Sequence, residues 1–199
     1  MLQEILKPIK TAFILFILFT LLTGLIYPLI VTGIAQVFFP WQANGSIMKK
    51  HDQALGSLLI GQSFTEPKYF WSRPSATTPF PYNALSSSGS NMGPSNPDFL
   101  KTVKHRMSYL QKENPKSHYP IPVDLVTASG SGLDPEISPA AAFYQASRIA
   151  KTRSLSEKKV HELIRKLIQK PSFGILGEPR VNVLKLNLEL DYLSLKKRP

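Results

Sequence analysis

The apolar positions of this chain fall into one long block followed by a series of short periodic segments. Ala12 to Phe39 is nearly all apolar, and no charged residue occurs from Thr11 to Ile47. A helix crossing ~30 Å of hydrocarbon needs about 20 residues, so the block predicts a membrane span with length left over for tilt. Gly24 and Pro28 sit mid-run, where neighbouring helices can compensate for a kink. Thr20, Thr23 and Gly24 offer a small-residue face for helix packing, while Tyr27 and Trp41 suit an interface or a protein contact. Lys7 and Lys10 would serve as the basic flank of a cleaved signal peptide. The run is too long for one and ends in no small-x-small cleavage site, so a retained anchor is expected. The next basic residues are Lys49 and Lys50. That asymmetry puts the N-terminus in the cytoplasm and everything beyond about residue 40 outside the cell membrane.

Beyond the span the periods shorten and change. Leu58, Leu59 and Ile60 predict a short strand. Phe99, Val103, Met107 and Leu110 follow a cap at Asn96 and Pro97 at helical spacing, and Asn114-Pro115 ends that helix. Val123, Leu125 and Val126 predict a second strand. A helix then opens at Ser138-Pro139 and runs through Phe143, Gln145, Arg148 and Ile149. Ser154 and Glu157 read as a capping box ahead of the stripe Val160, Leu163, Ile164, Leu167 and Ile168. Lys158, Lys159, Arg165 and Lys166 face the other way, and Pro171 is the stop. Leu184, Leu186, Leu188 and Leu190 alternate with Lys185, Asn187 and Glu189. This predicts a strand, with a bulge where Val181 and Val183 fall out of phase. Lys196-Lys197-Arg198 reads as a solvated tail. The stretch from Pro74 to Pro97 is too long for a structureless connection in a compact domain, so it is either disordered or held by specific contacts.

The expected fold class is therefore α+β: one N-terminal transmembrane helix followed by a single loop-rich mixed external domain. Residues 1–10 form a cytoplasmic stub, 11–40 the transmembrane helix and 41–199 the periplasmic or extracellular domain. Composition narrows the function. The chain has no cysteine, which excludes disulfides, Cys-ligated zinc and thiol catalysis. Its net charge of +11 comes from basic residues scattered among Asp and Glu, with no aromatic-rich basic motif, so no nucleic-acid partner is expected.

Candidate chemistry is sparse. Ser129-Gly130-Ser131-Gly132 lies between the predicted strand and the Ser138-Pro139 helix, an order that can hold an anion or simply turn the chain. A Walker-A loop would require G-x-x-x-x-G-K-[ST]. No such run exists, and no lysine follows until Lys151. His51, His105, His118 and His161 share no metal-ligand spacing. Ser46-x-x-Lys49 matches a penicillin-binding pattern but lacks its K-T-G partner. Asp124, Asp134 and Glu136 could pair as acid and base. Asp134 before Pro135 equally suits a turn, and Glu136 a helix entry. No catalytic set emerges. Tyr69-Phe70-Trp71 with Arg73-Pro74 has the residue types of a binding hot spot, or of a core edge with Arg stacked on Trp. Asn91-x-Gly93-Pro94-Ser95-Asn96 reads as a rigid loop, for contact or for turning.

Several blocks in order give the chain a likeness to a known family. These are Leu22-Thr23-Gly24-Leu25 through Tyr27-Pro28, Gln42-Ala43-Asn44-Gly45-Ser46, and Gly61-Gln62-x-Phe64. Then come Tyr69-Phe70-Trp71-Ser72-Arg73-Pro74-Ser75 and Ser90-Asn91-Met92-Gly93-Pro94-Ser95-Asn96-Pro97. Val126 to Pro135, Ile137-Ser138-Pro139-Ala140-Ala141 and Gly177-Glu178-Pro179-Arg180-Val181-Asn182-Val183-Leu184 follow. Over nearly its whole length the chain resembles the C subunit of the Kdp potassium-transporting P-type ATPase. It departs from the family pattern at Glu136, where His is usual. The resemblance implies a single-span, non-catalytic accessory subunit of an ATP-driven, high-affinity potassium import complex. Its partners would be a channel-like subunit that carries the potassium ion and a P-type subunit that hydrolyses ATP. The family's proposed catalytic-chaperone role would place ATP at Ser129, Gly130, Ser131 and Gly132. An external domain argues against direct contact with cytoplasmic ATP and favours a cap over the ion entrance of the channel-like subunit. Thr20, Thr23, Gly24, Tyr27, Trp71, Arg73 and Asn91 are then the expected partner contacts. A stand-alone membrane-anchored binding protein or enzyme is the remaining alternative.

Overall fold

The computed structural model describes residues 2–50 and 52–195, so the expectations for His51 and for Lys196–Arg198 lie outside the described residues. The chain divides into a first unit that ends at Ile47 and a second that begins at Met48.

In the first unit the apolar block is helical as far as Phe38. Helix α1 (Leu2–Leu21), a π-helical turn (Leu22–Ile26) and α2 (Tyr27–Phe38) follow without interruption, and a short helix α3 (Pro40–Ala43) closes the run. Lys7–Phe38 is a candidate span of 32 residues, which at ~1.5 Å per residue exceeds the ~30 Å a bilayer core requires. Every side chain from Lys7 to Ile34 is exposed, so this apolar surface has no protein cover of its own. The π turn places its wide bond, Tyr27 N–H to the Leu22 carbonyl, just ahead of Pro28, which brings no N–H of its own. Thr20 and Thr23 donate their hydroxyls to the Phe16 and Phe19 carbonyls at 2.7 Å each, keeping the small-residue stretch free of unpaired hydroxyls. The Trp41 indole donates to the Ile47 carbonyl at 3.3 Å.

The second unit is the mixed domain, mostly helical with two small sheets. Strands β1 (Ile47–Lys50) and β2 (Gln53–Ser57) form a hairpin. Helix α4 (Pro97–Glu113) follows the long loop, and β3 (Glu136–Ile137) leads into α5 (Pro139–Thr152). Then come α6 (Glu157–Leu167), β4 (Val181–Asn182) and α7 (Val183–Leu195). β3 and β4 pair antiparallel, Glu136 opposite Asn182 and Ile137 opposite Val181. The core gathers Phe70, Ile137, Ile149, Val160, Ile164, Leu186 and Leu190.

The predicted helices over α4 and α5 are present with their caps. Asn96 accepts from the Asp98 and Phe99 amides, and Ser138 from the Ala141 amide. Four expectations need correction, the first of them covering both ends of α6. The cap of α6 is Ser156, which accepts from the Lys159 amide. Ser154 lies in the left-handed region (φ 53) and does not start the helix. That helix ends at Leu167, ahead of Pro171, because Ile168 extends and Gln169 pairs with Arg180. Leu58–Ile60 is a turn after β2, in which the Leu59 amide donates to Ser57 Oγ at 3.0 Å. Val123–Leu125 is one 3-10 turn, closed by the Val126 and Thr127 amides on the Val123 carbonyl, with Val123 itself exposed.

The fourth correction is the largest. Residues 183–195 form a helix where leucine alternation predicts a strand. Asn182 Oδ1 accepts from the Lys185 amide at 3.0 Å, the bond of a helix N-cap. The buried stripe is Val183, Leu186, Asn187 and Leu190, at i, i+3, i+4 and i+7. Its period is hidden because one interior position is polar. Asn187 is only 2% exposed and is fully used: its Oδ1 accepts from the Phe70 amide at 2.8 Å and its Nδ2 donates to the Phe70 carbonyl at 3.0 Å. Gln145 of α5 does the same for the next residue, accepting from the Trp71 amide at 2.8 Å and donating to its carbonyl at 3.2 Å. The segment through Phe70 and Trp71 is thus held as if in a sheet, with side-chain amides in place of a neighbouring strand.

Replacing Asn187 by Leu strands both buried polar groups of Phe70, at a cost of about 1–3 kcal/mol for each unsatisfied group. The expected result is a melting temperature roughly 5–10 °C lower for Asn187→Leu in a circular-dichroism melt of the detergent-solubilised chain. Leu188→Met, on the same helix, should leave it nearly unchanged.

Candidate functional site

The Ser/Gly loop is packed against the stretch from Pro74 to Pro97, and this explains why so long a loop is ordered. The Ser131 carbonyl accepts from the Ser88 amide and from the Ser87 hydroxyl, both at 3.0 Å. The Gly132 carbonyl accepts from Ser75 Oγ at 2.7 Å, and the Leu133 carbonyl from the Gly61 amide at 2.8 Å. Ser75 Oγ in turn accepts from the Tyr82 amide at 3.0 Å. Thr77 Oγ1 accepts from the Asn83 amide at 3.0 Å and donates to the Phe80 carbonyl at 2.8 Å. Gly132 has φ +67, and a Cβ there would stand 2.5 Å from the Ser88 oxygen and 2.6 Å from Thr77 Cγ2. Gly130, by contrast, has open space around it. Ser129 is buried, while Gly130 and Ser131 are exposed. The stretch therefore acts as a clasp, the Ser131 and Gly132 carbonyls engaged by the loop they hold.

Immediately after the clasp lies a charged cleft of about 350 Å³, formed where separate stretches of sequence converge. Arg73 Nη1 meets Asp134 Oδ2 at 2.9 Å, and the other Asp134 oxygen accepts from the Glu136 amide at 2.9 Å. Arg180 Nε lies 2.9 Å from Glu136 Oε2, and Glu178 completes this wall. Asp124 Oδ2 accepts from the Ser138 amide at 2.7 Å, so the 3-10 turn is tied to the start of α5. The acid–base pairing open to Asp124, Asp134 and Glu136 is thus replaced by hydrogen bonds to backbone and guanidinium. These ion pairs are partly exposed, and such pairs are worth at most about 1 kcal/mol each to stability. Their value is to fix the direction of charge, which suits recognition. Among the described residues no cluster of three or more His, Asp or Glu side chains could hold a metal.

The aromatic cluster divides by depth. Trp71 is buried. The guanidinium stacked on it, at 3.7 Å from the ring centroid, belongs to Arg148 of α5, and Tyr109 lies parallel to it at 5.4 Å. Arg148 donates to Asn114 Oδ1, Gln145 Oε1 and the carbonyls of Pro67 and Tyr69. Burial pushes its guanidinium down to about 10, which still leaves it charged at neutral pH. Arg73 points instead to the cleft. Its carbonyl accepts the Tyr82 phenol, which burial pushes up to about 12. Asn91 is exposed on the loop with φ 52. Thr20, Thr23, Gly24 and Tyr27 lie along the exposed span at i, i+3, i+4 and i+7, with the π turn inside the set. Sequence reading missed Arg180 as the partner of Glu136. Its signal is register: with Asn182 opposite Glu136, Arg180 is the diagonal neighbour on the same side of the sheet.

The model of the family described as KdpC, the c chain of K+-transporting ATPase, matches residues 9–192. The chain belongs to the KdpC family. It is 56% identical over 184 residues to the potassium-transporting ATPase KdpC subunit of Methylococcus capsulatus, covering 92% of this chain and 97% of the relative. The KdpC subunit of Polynucleobacter asymbioticus is 59% identical over 177 residues, covering 89% and 94%. That of Polaromonas naphthalenivorans is 55% identical over 192 residues, covering 96% of each. The KdpC match takes in the span from Ile9 onward, the clasp and every side chain of the cleft.

The clasp separates two glycine substitutions that look alike in sequence. Gly132→Ala should loosen the loop by roughly 2 kcal/mol or more, since it adds a left-handed penalty to a steric clash. Limited chymotrypsin digestion should then cut after Tyr82 or Leu85 much faster than in the native chain. Gly130→Ala should leave the digestion rate as it is.

Proposed function

We propose that this chain is the non-catalytic accessory subunit of an ATP-driven potassium import complex, with its N-terminus cytoplasmic and its mixed domain on the outer side of the cell membrane. Membership of the KdpC family supports a place beside the potassium-transporting subunits. Potassium is the ion of the complex, carried by a channel-like partner. ATP belongs to a P-type partner, because nothing in the cleft or the clasp resembles a phosphorylation centre. The observation that carries this reading is the engagement of the Ser/Gly loop. The carbonyls of its second half, Ser131 and Gly132, hold the 74–97 loop, it has no lysine within reach in sequence, and it follows a span whose basic flank lies before it. A loop spent on holding another loop supports an assembly and capping role over a direct part in binding nucleotide. In this reading Thr20, Thr23, Gly24 and Tyr27 pack on the channel-like subunit within the bilayer, and the outer domain covers the ion entrance. Arg73 and Asn91 face the partner, and Trp71 stiffens the segment that presents Arg73.

Three measurements test it. An alkaline-phosphatase reporter fused at the C-terminus should be active, as it is only outside the cytoplasm; an inactive reporter would remove the external cap. Deleting residues 50–199 while keeping the span should lower either the yield of assembled complex or its apparent potassium affinity by about tenfold or more, the loss of a hot-spot interface. A photoreactive ATP analogue supplied on the cytoplasmic face should label the P-type subunit and leave Ser129–Gly132 unlabelled. Labelling of the loop would favour the catalytic-chaperone role instead.

A further inference from the structure

Between α6 and β4 the chain makes a narrow finger. Gln169 and Arg180 exchange main-chain hydrogen bonds at 2.8 and 3.1 Å, and Ser172 and Leu176 exchange a second pair at 2.9 Å. The Gly174 amide closes the tip on the Pro171 carbonyl at 3.0 Å. The backbone is well determined by these bonds, yet the side chains it carries bury almost nothing. Phe173 is 93% exposed, Ile175 82% and Leu176 58%. Phe173 also sits at φ 55, a left-handed conformation that costs a bulky residue about 1–3 kcal/mol. A strained, hydrogen-bonded turn that holds three large apolar groups in solvent has the form of a pre-organised anchor.

The finger's base is one wall of the charged cleft: Gly177 to Arg180 line it, facing Arg73, Asp134 and Glu136. With Asp124 and Glu178 included, the cleft carries four carboxylates against two guanidiniums. Both guanidiniums are already paired, to Asp134 and Glu136, so the surplus charge within the cleft is negative. That surplus disfavours an anionic lipid surface and complements a protein rim bearing Lys or Arg. We infer that the finger and the cleft form one docking surface for a partner subunit. The partner's outer face offers an apolar recess to Phe173 and Ile175, with a basic side chain at the recess edge for Glu178 and Asp124. This inference rests on the accessory-subunit reading.

The test uses the full chain in its assembled complex, purified through a tag on the ATP-hydrolysing subunit. Phe173→Asp with Ile175→Asp should reduce the amount of this chain retained after a detergent wash by about tenfold, as expected when a buried anchor is lost. Glu178→Lys should weaken retention in a salt-dependent way. The circular-dichroism melt of each isolated variant should match the native one, since the substituted side chains are exposed. A photo-crosslinking phenylalanine analogue at position 173 should give an adduct with a partner subunit, identified by mass spectrometry. Undiminished retention in the double variant, or an adduct with lipid alone, would overturn the docking surface. If the native chain itself fails to co-purify with the two larger subunits, the accessory-subunit reading fails instead.

Discussion

The mixed domain depends on an unusual way of satisfying a buried main chain. The segment Phe70-Trp71 runs through the core with no strand beside it, and buried amide and carbonyl groups must be paired. Gln145 and Asn187 supply what a strand would, each giving one acceptor and one donor to one residue. Because these two side chains come from α5 and α7, the same bonds that satisfy the segment also fix both helices against it. Arg148 then covers Trp71 and gathers carbonyls from Pro67 and Tyr69. With two sheets of only two strands each, the domain has few ladder bonds to spend, and carboxamides take over that task.

This economy governs what was legible in the sequence. The span was plain, because a long uncharged run has one physical reading. Helices α4 and α5 were plain too, since Asn96-Pro97 and Ser138-Pro139 are strong local start signals that tertiary contacts did not override. Helix α7 was misread because Asn187 faces the core, so a rule that counts only apolar residues as interior finds period two where the true period is 3.6. The run at Val123 was too short for period to discriminate strand from turn. The clasp residues were recognised as a group, but their work could not be, since the partners at Ser75, Ser87 and Ser88 lie more than forty positions away. The cleft was hidden for the same reason: Arg73, Asp134 and Arg180 meet only after folding.

The polar features of the domain share a division of labour. Charged groups that are deep, such as Arg148, are saturated with hydrogen bonds and hold the fold together. Charged groups nearer the surface, such as Arg73, Glu136 and Arg180, are paired with one another and keep a fixed orientation toward solvent. Neither set resembles an acid–base or nucleophilic machine. A domain built in this way presents a shaped surface of fixed charge.

The clasp also bears on how such a domain can diversify. Only glycine fits at position 132 because Ser88 and Thr77 leave no room for a side chain, and Ser131 is useful only because Ser87 and Ser88 reach it. The two loops are therefore one inherited module, although more than thirty residues and a whole helix separate them in the chain. A recombination event that crosses over within α4 would combine halves of different ancestry at this contact. Lengthening either loop alone would misplace its partner. The exchangeable unit is the pair, with α4 carried between them.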